Sequence, residues 1–182
     1  MALFAILPAM NNLGLQRGTV QLIPYQESWA TEFEAERARL AMVLGDRVLD
    51  IQHVGSTSVP GQVAKPIIDI AISVSSLDAV NELIAPLAQL RYDYKPDSGV
   101  PGRRFFAKGP ESNQTHHLHL SQSDTVFQSL TQFRDRLIAD AEIAEQYSFL
   151  KQDLASKFAS DRASYTKGKN EFIAKVLRKS LS

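Results

Sequence analysis

Apolar and polar positions divide the chain into a mixed first part and an all-helical last part. Apolar residues recur at helical spacing from Ser28 until Gly45 and again over residues 77–90, which predicts two helices. Shorter segments rich in alternating or β-branched residues predict strands at 48–54, 67–74, 103–108 and 115–120, the last two as a hairpin. After residue 124 the apolar period is helical throughout. The pattern therefore predicts an α+β fold: a mixed or antiparallel sheet with flanking helices and a C-terminal helical layer.

The same pattern predicts one domain with an N-terminal extension. Residues 1–18 are apolar-rich but interrupted by Pro8, and they lack the basic start of a signal peptide, so we expect a loosely attached segment. Residues 19–182 are expected to form a single domain, with a sheet core to about residue 120 and a helical layer over 124–180. No apolar run approaches the ~20 residues that span a bilayer, so we expect a cytoplasmic protein without a membrane partner.

Charge and composition narrow the classes of ligand. The chain has 20 Lys and Arg against 20 Asp and Glu, and this balance gives no strong case for nucleic-acid binding. The balance is uneven, because residues 1–100 carry 7 basic and 11 acidic side chains while residues 101–182 carry 13 and 9. A phosphate-bearing small molecule is therefore expected to bind near the C-terminal part. The absence of cysteine excludes disulfides and thiolate chemistry, and nothing in the sequence indicates an oligomeric state.

A carboxylate inside an apolar strand is the first candidate for chemistry. Asp69 stands between Ile68 and Ile70, and a buried carboxylate costs several kcal/mol unless it is paired, hydrogen-bonded or metal-bound. The alternative is that Asp69 lies on a solvated sheet face. Upstream, Gly55, Ser56 and Thr57 form a small loop whose backbone amides can approach phosphate oxygens closely.

The residues around this loop resemble the signature of the GrpB family. The resemblance extends from residue 19 to 178 and is carried by His53–Gly61, Ala64–Ile70, Ile23–Trp29, Arg104–Gly109, His116–Leu120, Tyr147–Lys151 and Tyr165–Lys169. That family is placed in the nucleotidyltransferase superfamily, so the resemblance implies a polymerase-β-type nucleotidyltransferase fold.

The resemblance also implies an activity and a cofactor. Members of the superfamily transfer a nucleotidyl group from a nucleoside triphosphate, here to a small-molecule acceptor, using divalent Mg²⁺ held by an Asp-x-Asp or Asp-x-Glu pair plus a third carboxylate. This sequence has Asp69 but places Ala71 where the second carboxylate would stand. A non-catalytic protein that binds a nucleotide or another phosphate ligand is therefore the second hypothesis, and catalytic activity stays open.

Three closely spaced histidines offer a different ligand set. Alternation puts His117 and His119 on one strand face, and beside Asp69 they would supply two imidazoles and one carboxylate. Such a set suits Zn²⁺, Mn²⁺ or Fe²⁺ better than Mg²⁺, and it would serve retained metal-dependent catalysis or a metal-dependent hydrolase. The alternative is that the histidines form hydrogen bonds or contact phosphate when protonated.

Basic residues complete the predicted phosphate site. Lys65 precedes the Asp69 strand, Arg104 lies in the hairpin, and Lys151 and Lys169 each follow a tyrosine by four residues on one helix face. The alternative for the two helical lysines is that the tyrosines pack while the ammonium groups extend to water. Gly168 weakens its helix without an obvious packing role in the sequence.

Overall fold

The computed structural model describes residues 12–78, 80–96, 100–122 and 125–178. Six α-helices and five strands occupy these residues. They are α1 (Ser28–Leu44), β1 (Val48–Val54), β2 (Ile68–Val74), α2 (Val80–Gln89), β3 (Tyr92–Tyr94), β4 (Arg104–Lys108), β5 (His116–Ser121), α3 (Thr125–Ala139), α4 (Ala141–Lys157), α5 (Arg162–Gly168) and α6 (Asn170–Arg178). Two 3₁₀ turns lie at Gly45–Arg47 and Ser56–Ser58.

The five strands form one mixed sheet in the order β1-β2-β5-β4-β3. The central pair β2 and β5 is parallel, while the other three neighbouring pairs are antiparallel. Helices flank the sheet and α3 to α6 follow it in the chain, so the predicted α+β class is confirmed. The short strand β3 was not predicted.

One sheet face packs on α1 and α2 and forms the main core. Its β2 side chains Ile68, Ile70 and Ile72 are fully buried and pack in one cluster with apolar residues of both helices and of β4 and β5. Burial of apolar surface stabilises this face by roughly 25 cal/mol per Å². Because side chains alternate along β2, Asp69 lies on the opposite face of the sheet, outside this core.

A buried carboxylate on the core side is fully satisfied. Glu36 of α1 is 0% exposed and accepts hydrogen bonds from the Tyr92 hydroxyl at 2.9 Å and from Lys108 Nζ at 2.7 Å. Arg39 Nη1 donates to its second oxygen at 2.8 Å. These partners lower the pKa of Glu36 even though burial opposes its ionisation. Glu36 thus ties α1 to β3 and β4 behind the functional face.

The start of the described chain departs from the sequence prediction. Leu15 is buried, and its backbone exchanges hydrogen bonds with Gln114 at 3.0 and 2.8 Å. Gly14 N also donates to Pro66 O at 2.7 Å. The expectation of a loosely attached segment is therefore wrong for residues 12–18, because backbone pairing fixes them, and residues 1–11 lie outside the described residues. Across the described ranges, no helix is both long and apolar enough to cross a bilayer.

Candidate functional site

Parallel pairing of β2 with β5 brings one carboxylate and two imidazoles together. Asp69 lies opposite His117 in the register, and Ala71 lies opposite His119. Asp69 Oδ1 is 3.2 Å from His117 Nδ1 and 3.1 Å from His119 Nε2. The structure thus places these three predicted site residues on one face, opposite Ile68, Ile70 and Ile72.

The partner of His119 fixes where its proton resides. Arg103 Nη1 lies 3.2 Å from His119 Nδ1, and a guanidinium group can only donate hydrogen bonds. His119 Nδ1 must therefore carry the lone pair, so the proton is on Nε2 and is donated to Asp69. The hydrogen-bond network assigns this tautomer.

His117 is held in the complementary orientation. Its Nδ1–H donates to the Asp69 carboxylate, and its buried Nε2 has no hydrogen-bond partner within the described residues. Burial lowers the pKa of His117 to about 4, although Asp69 opposes that shift. Burial raises the pKa of Asp69. The hydrogen bonds from the two imidazoles together have the larger effect and hold the pKa of this carboxyl group well below its ordinary value. At neutral pH the cluster therefore pairs an ionised Asp69 carboxylate with a neutral His117 imidazole.

The loop after β1 approaches this carboxylate closely because it contains glycine. Gly55 has φ of +71°, and a Cβ at this position would lie 2.8 Å from Asp69 Oδ2 and 3.1 Å from Asp69 Cβ. Thr57 is buried, with Oγ1 3.0 Å from His53 Nε2, which anchors the following 3₁₀ turn. Gly55, Ser56 and Thr57 therefore form one fixed wall of the site.

These groups lie in a cleft of about 750 Å³ between the sheet and the C-terminal helices. Seven cationic side chains line it: Arg17, Lys65, Lys95, Arg103, Lys151, Arg162 and Lys169. Asp69 is the single carboxylate among the described residues of the lining. The described lining therefore has more cationic than anionic side chains, although the whole chain is neutral and two of the cations, Arg17 and Lys95, pair with Glu111 and Asp93.

Two of the predicted lysines share one aromatic ring. The ammonium groups of Lys65 and Lys169 lie 5.8 and 4.6 Å from the centre of the Tyr165 ring. Burial, with repulsion from Arg162, lowers the pKa of Lys65 to about 7 and that of Lys169 to about 8, while Asp69 opposes both shifts. In the part of the chain that the structure describes, neither ammonium has a hydrogen-bond or ion-pair partner. Both are available to an anionic ligand.

Lys151 has a different environment from these two lysines. It is 1% exposed, and Nζ donates to Ser56 Oγ at 3.0 Å, to Gln62 Oε1 at 2.8 Å and to the Val63 carbonyl. It also lies 4.7 Å from the centre of the Tyr147 ring. An ammonium group has three donors, and all three are used. Lys151 therefore holds the loop in place. Its ammonium group has no donor left for a phosphate and does not extend to water, so both expectations for Lys151 are corrected.

The predicted hairpin arginine lies on the wrong face of β4. Phe105 pairs with His119, so Arg103 and Phe105 share the cleft side of the strand. Arg104 points with Phe106 and Lys108 to the opposite side and does not line the cleft. The expectation for Arg104 is corrected to Arg103. The same alternation that placed His117 and His119 would have indicated this, given the register of β4 on β5.

Other lining residues carried no sequence signal. Arg17 and Lys95 come from irregular segments, and Arg162 begins α5, after the Asp161 side chain caps the helix by accepting from Ser164 N at 3.1 Å. Gly168, which the sequence left without a packing role, has one in the structure. A Cβ there would lie 2.5 Å from Leu154 Cδ2, so glycine allows α5 to pack on α4 beside Tyr165 and Lys169.

The residues of this cleft do not fit the metal pair that the resemblance implies. Ala71 is 0% exposed and supplies no ligand, and His119 Nε2 carries a proton while Arg103 occupies its other nitrogen. A metal on Nε2 would force a proton onto Nδ1, directly against an arginine donor. No group of three or more His, Cys, Asp or Glu in the described chain is arranged to hold a metal ion. The expectation that Asp69, His117 and His119 are metal ligands is therefore not supported.

These features define an α+β protein with a cleft lined by cationic side chains, and comparison with known proteins gives its family. The family model described as GrpB protein matches residues 19–179, so the chain belongs to the GrpB family. The UPF0157 protein YqkA of Bacillus subtilis is 39% identical over 155 residues, which are 85% of this chain and 45% of that protein. The glutamate-rich protein GrpB of Alkalihalophilus pseudofirmus is 35% identical over 171 residues, 91% of this chain and 98% of that one.

A solved structure agrees with the fold. The crystal structure of the conserved protein GrpB from Enterococcus faecalis is similar with a TM-score of 0.80 and 34% identity. The match covers 88% of this chain and 97% of that chain. The matched residues span less than half, 45%, of the length of YqkA.

Proposed function

We propose that this protein binds a nucleotide, or a closely related phosphate-bearing small molecule, in the cleft above Asp69. The observation that carries the proposal is that seven cationic side chains line the cleft, together with a single carboxylate among the described residues. Phosphate oxygens accept strong hydrogen bonds from lysine and arginine, and a ligand with several negative charges relieves the repulsion among these cations. Lys65 and Lys169 are the central contacts because both ammonium groups lack a hydrogen-bond or ion-pair partner within the described residues and lie over the Tyr165 ring.

The cleft also favours a ligand with an apolar or aromatic part. Its volume of about 750 Å³ is within the range of small-molecule sites. Apolar side chains line it beside the cations, among them Phe105, Leu130, Phe133 and Ile173. A nucleotide combines a flat base with phosphates and would satisfy both kinds of lining.

The arrangement favours binding over nucleotidyl transfer or metal-dependent hydrolysis. Asp69 is held by two imidazole N–H groups, and Ala71 stands where a second carboxylate would be needed. A carboxylate with a strongly lowered pKa is also a weak general base. Within the described residues, the enzyme alternatives therefore lack the metal-ligand groups on which their chemistry depends.

Thermal unfolding and calorimetry with ATP, UTP, CTP and GTP test the proposal. A ligand at 100 times its dissociation constant should add about 2.7 kcal/mol to the free energy of unfolding. The Lys169→Gln variant should bind about tenfold more weakly, because a hydrogen bond to a charged group is lost. Lys157→Gln is the matched control, since Lys157 is exposed on α4 and pairs with Asp153 at 2.6 Å.

Two outcomes would contradict the proposal. One is the absence of stabilisation by any nucleotide, and the other is equal affinity of the wild type and Lys169→Gln. Release of pyrophosphate from a nucleoside triphosphate would instead indicate nucleotidyl transfer.

A further inference from the structure

We infer that the cleft binds a nucleoside polyphosphate without a divalent cation, with Lys65, Arg162 and Lys169 supplying the positive charge that a metal would provide. The inference rests on the proposed function and specifies how its ligand is neutralised.

The first step concerns the two oxygens of Asp69. Oδ1 accepts from both imidazoles, and Oδ2 lies against Gly55, where even a Cβ atom would be only 2.8 Å away. Mg²⁺ requires near-octahedral oxygen ligands and is usually held by one or two carboxylates together with phosphates. Asp69 Oδ2, which accepts no hydrogen bond within the described residues, is therefore the one carboxylate oxygen of the described lining that is left for a metal, and Ala71 adds none.

The second step concerns the two hydrogen bonds that fix the tautomer of His119. Arg103 donates to Nδ1, so the nitrogen that faces Asp69 is protonated and cannot ligate a metal. Arg103 is itself part of the cleft lining. The side chain that excludes the metal thus adds a cation to the same site.

The third step concerns the cations next to Asp69. Lys65 and Lys169 flank the Tyr165 ring, and both interact electrostatically with Arg162 and Asp69. Three cations around one carboxylate leave a local excess of positive charge. Free ATP has more negative charge than its magnesium complex and therefore complements this cluster better.

The fourth step concerns room for a chain of phosphates. A second, open depression of about 530 Å³ shares Arg17, Arg162, Thr166 and Asn170 with the cleft and adds Lys167. The positive lining thus continues from the cleft toward solvent. A single phosphate would not use this extension, whereas the distal phosphates of a triphosphate would.

Calorimetric titration of the full chain with ATP, once in EDTA and once in excess MgCl₂, tests the inference. We expect binding in EDTA to be at least as tight as in magnesium, because chelation removes charge from the ligand. In EDTA, Lys65→Gln and Lys169→Gln should each weaken binding about tenfold. Lys175→Gln, an exposed position on α6, should leave it unchanged.

The outcomes separate this inference from the proposed function. Binding that is more than tenfold weaker in EDTA than in magnesium would overturn the metal-free mode while leaving the nucleotide site intact. The absence of binding in both buffers would contradict the proposed function, and the inference would fall with it.

Discussion

Gly55 is the residue at which loop conformation and site chemistry meet. Its φ of +71° is strained for any side chain, and a Cβ would also collide with Asp69. We expect Gly55→Ala to lower the free energy of unfolding by about 2–4 kcal/mol, combining left-handed strain with overpacking. Urea unfolding monitored by the fluorescence of Trp29 measures this change.

Gly61→Ala provides the control for backbone strain. Gly61 has φ of +79°, yet nothing lies within 4 Å of a Cβ built there. Its substitution should cost only the strain, about 1–2 kcal/mol. Equal losses in the two variants would show that contact with Asp69 contributes nothing.

Single residues also show how far the sequence predicts the site. Alternation predicted that His117 and His119 share one strand face and that Asp69 lies opposite the apolar face of its own strand, but their meeting depends on the pairing of β2 with β5. The sequence predicted Arg104 as a cleft residue, whereas the structure places Arg103 there. A shift of one residue along a strand moves a side chain to the other sheet face, and the register of β4 depends on pairing across the sheet.

At the scale of elements, α4 and the loop between β1 and β2 are joined through a cluster of hydrogen bonds around Gln62 and Lys151. Gln62 Nε2 donates to Ala144 O, and Gln62 Oε1 accepts from Ser148 Oγ at 2.9 Å and from Lys151 Nζ. Lys151 adds bonds to Ser56 and to the Val63 carbonyl. The loop that lines the cleft is therefore held by a helix far away in the sequence.

Lys151→Met tests this connection. Methionine keeps much of the apolar stem but leaves buried acceptors without a donor, so we expect the free energy of unfolding to fall by about 1–3 kcal/mol. Nucleotide affinity should fall as well, because Ser56 loses its anchor. Lys157→Met on the same helix should change stability by less than about 0.5 kcal/mol, since Lys157 is exposed. A Lys151→Met protein that matches Lys157→Met in both measurements would exclude the connection.

The elements themselves were predicted with uneven success, for physical reasons. The predicted strand 48–54 matches β1, and the helix beginning at Ser28 ends at Leu44, just before Gly45. β3 was missed because three residues with an exposed aspartate carry no readable period. The parallel pairing of β2 with β5 could not be inferred from either strand, because sheet order is set by the packing of the whole domain.

At the scale of the molecule, the fold brings cationic side chains from distant parts of the sequence into one cleft. Residues 1–100 carry an excess of acidic side chains, 11 against 7 basic, yet they supply Arg17, Lys65 and Lys95 to the cleft. The C-terminal half supplies the other four cations. The regional excess near the C-terminus was therefore an incomplete guide, because the acidic residues of the first half that the structure describes, apart from Asp69, do not line the cleft.

Buried histidines make the folded protein sensitive to acid. Burial lowers the pKa of His53, His116 and His117 to about 4, against 6.5 for an exposed imidazole. Between these values the unfolded chain binds more protons, so stability should fall as pH decreases from about 6.5 to 4. Urea unfolding at pH 7, 6 and 5 measures this fall. Unchanged stability across that range would show that the histidines titrate normally in the folded state.

The lysines of the cleft determine how the free energy of unfolding changes above pH 7, and they also couple ligand binding to protonation. Burial lowers the pKa of Lys65 and Lys151 to about 7 and that of Lys169 to about 8, against an ordinary value of 10.5. Between these limits the unfolded chain again binds more protons, so the free energy of unfolding should rise by at least about 1 kcal/mol from pH 7 to 9.

A bound polyphosphate favours the charged lysines, so binding at pH 8 should take up protons. Calorimetry in buffers of different ionisation enthalpy detects this uptake, and it should shrink in Lys169→Gln but not in Lys175→Gln. Stability that falls between pH 7 and 9, or ATP binding that releases protons, would contradict the assignment of these lysines to the cleft.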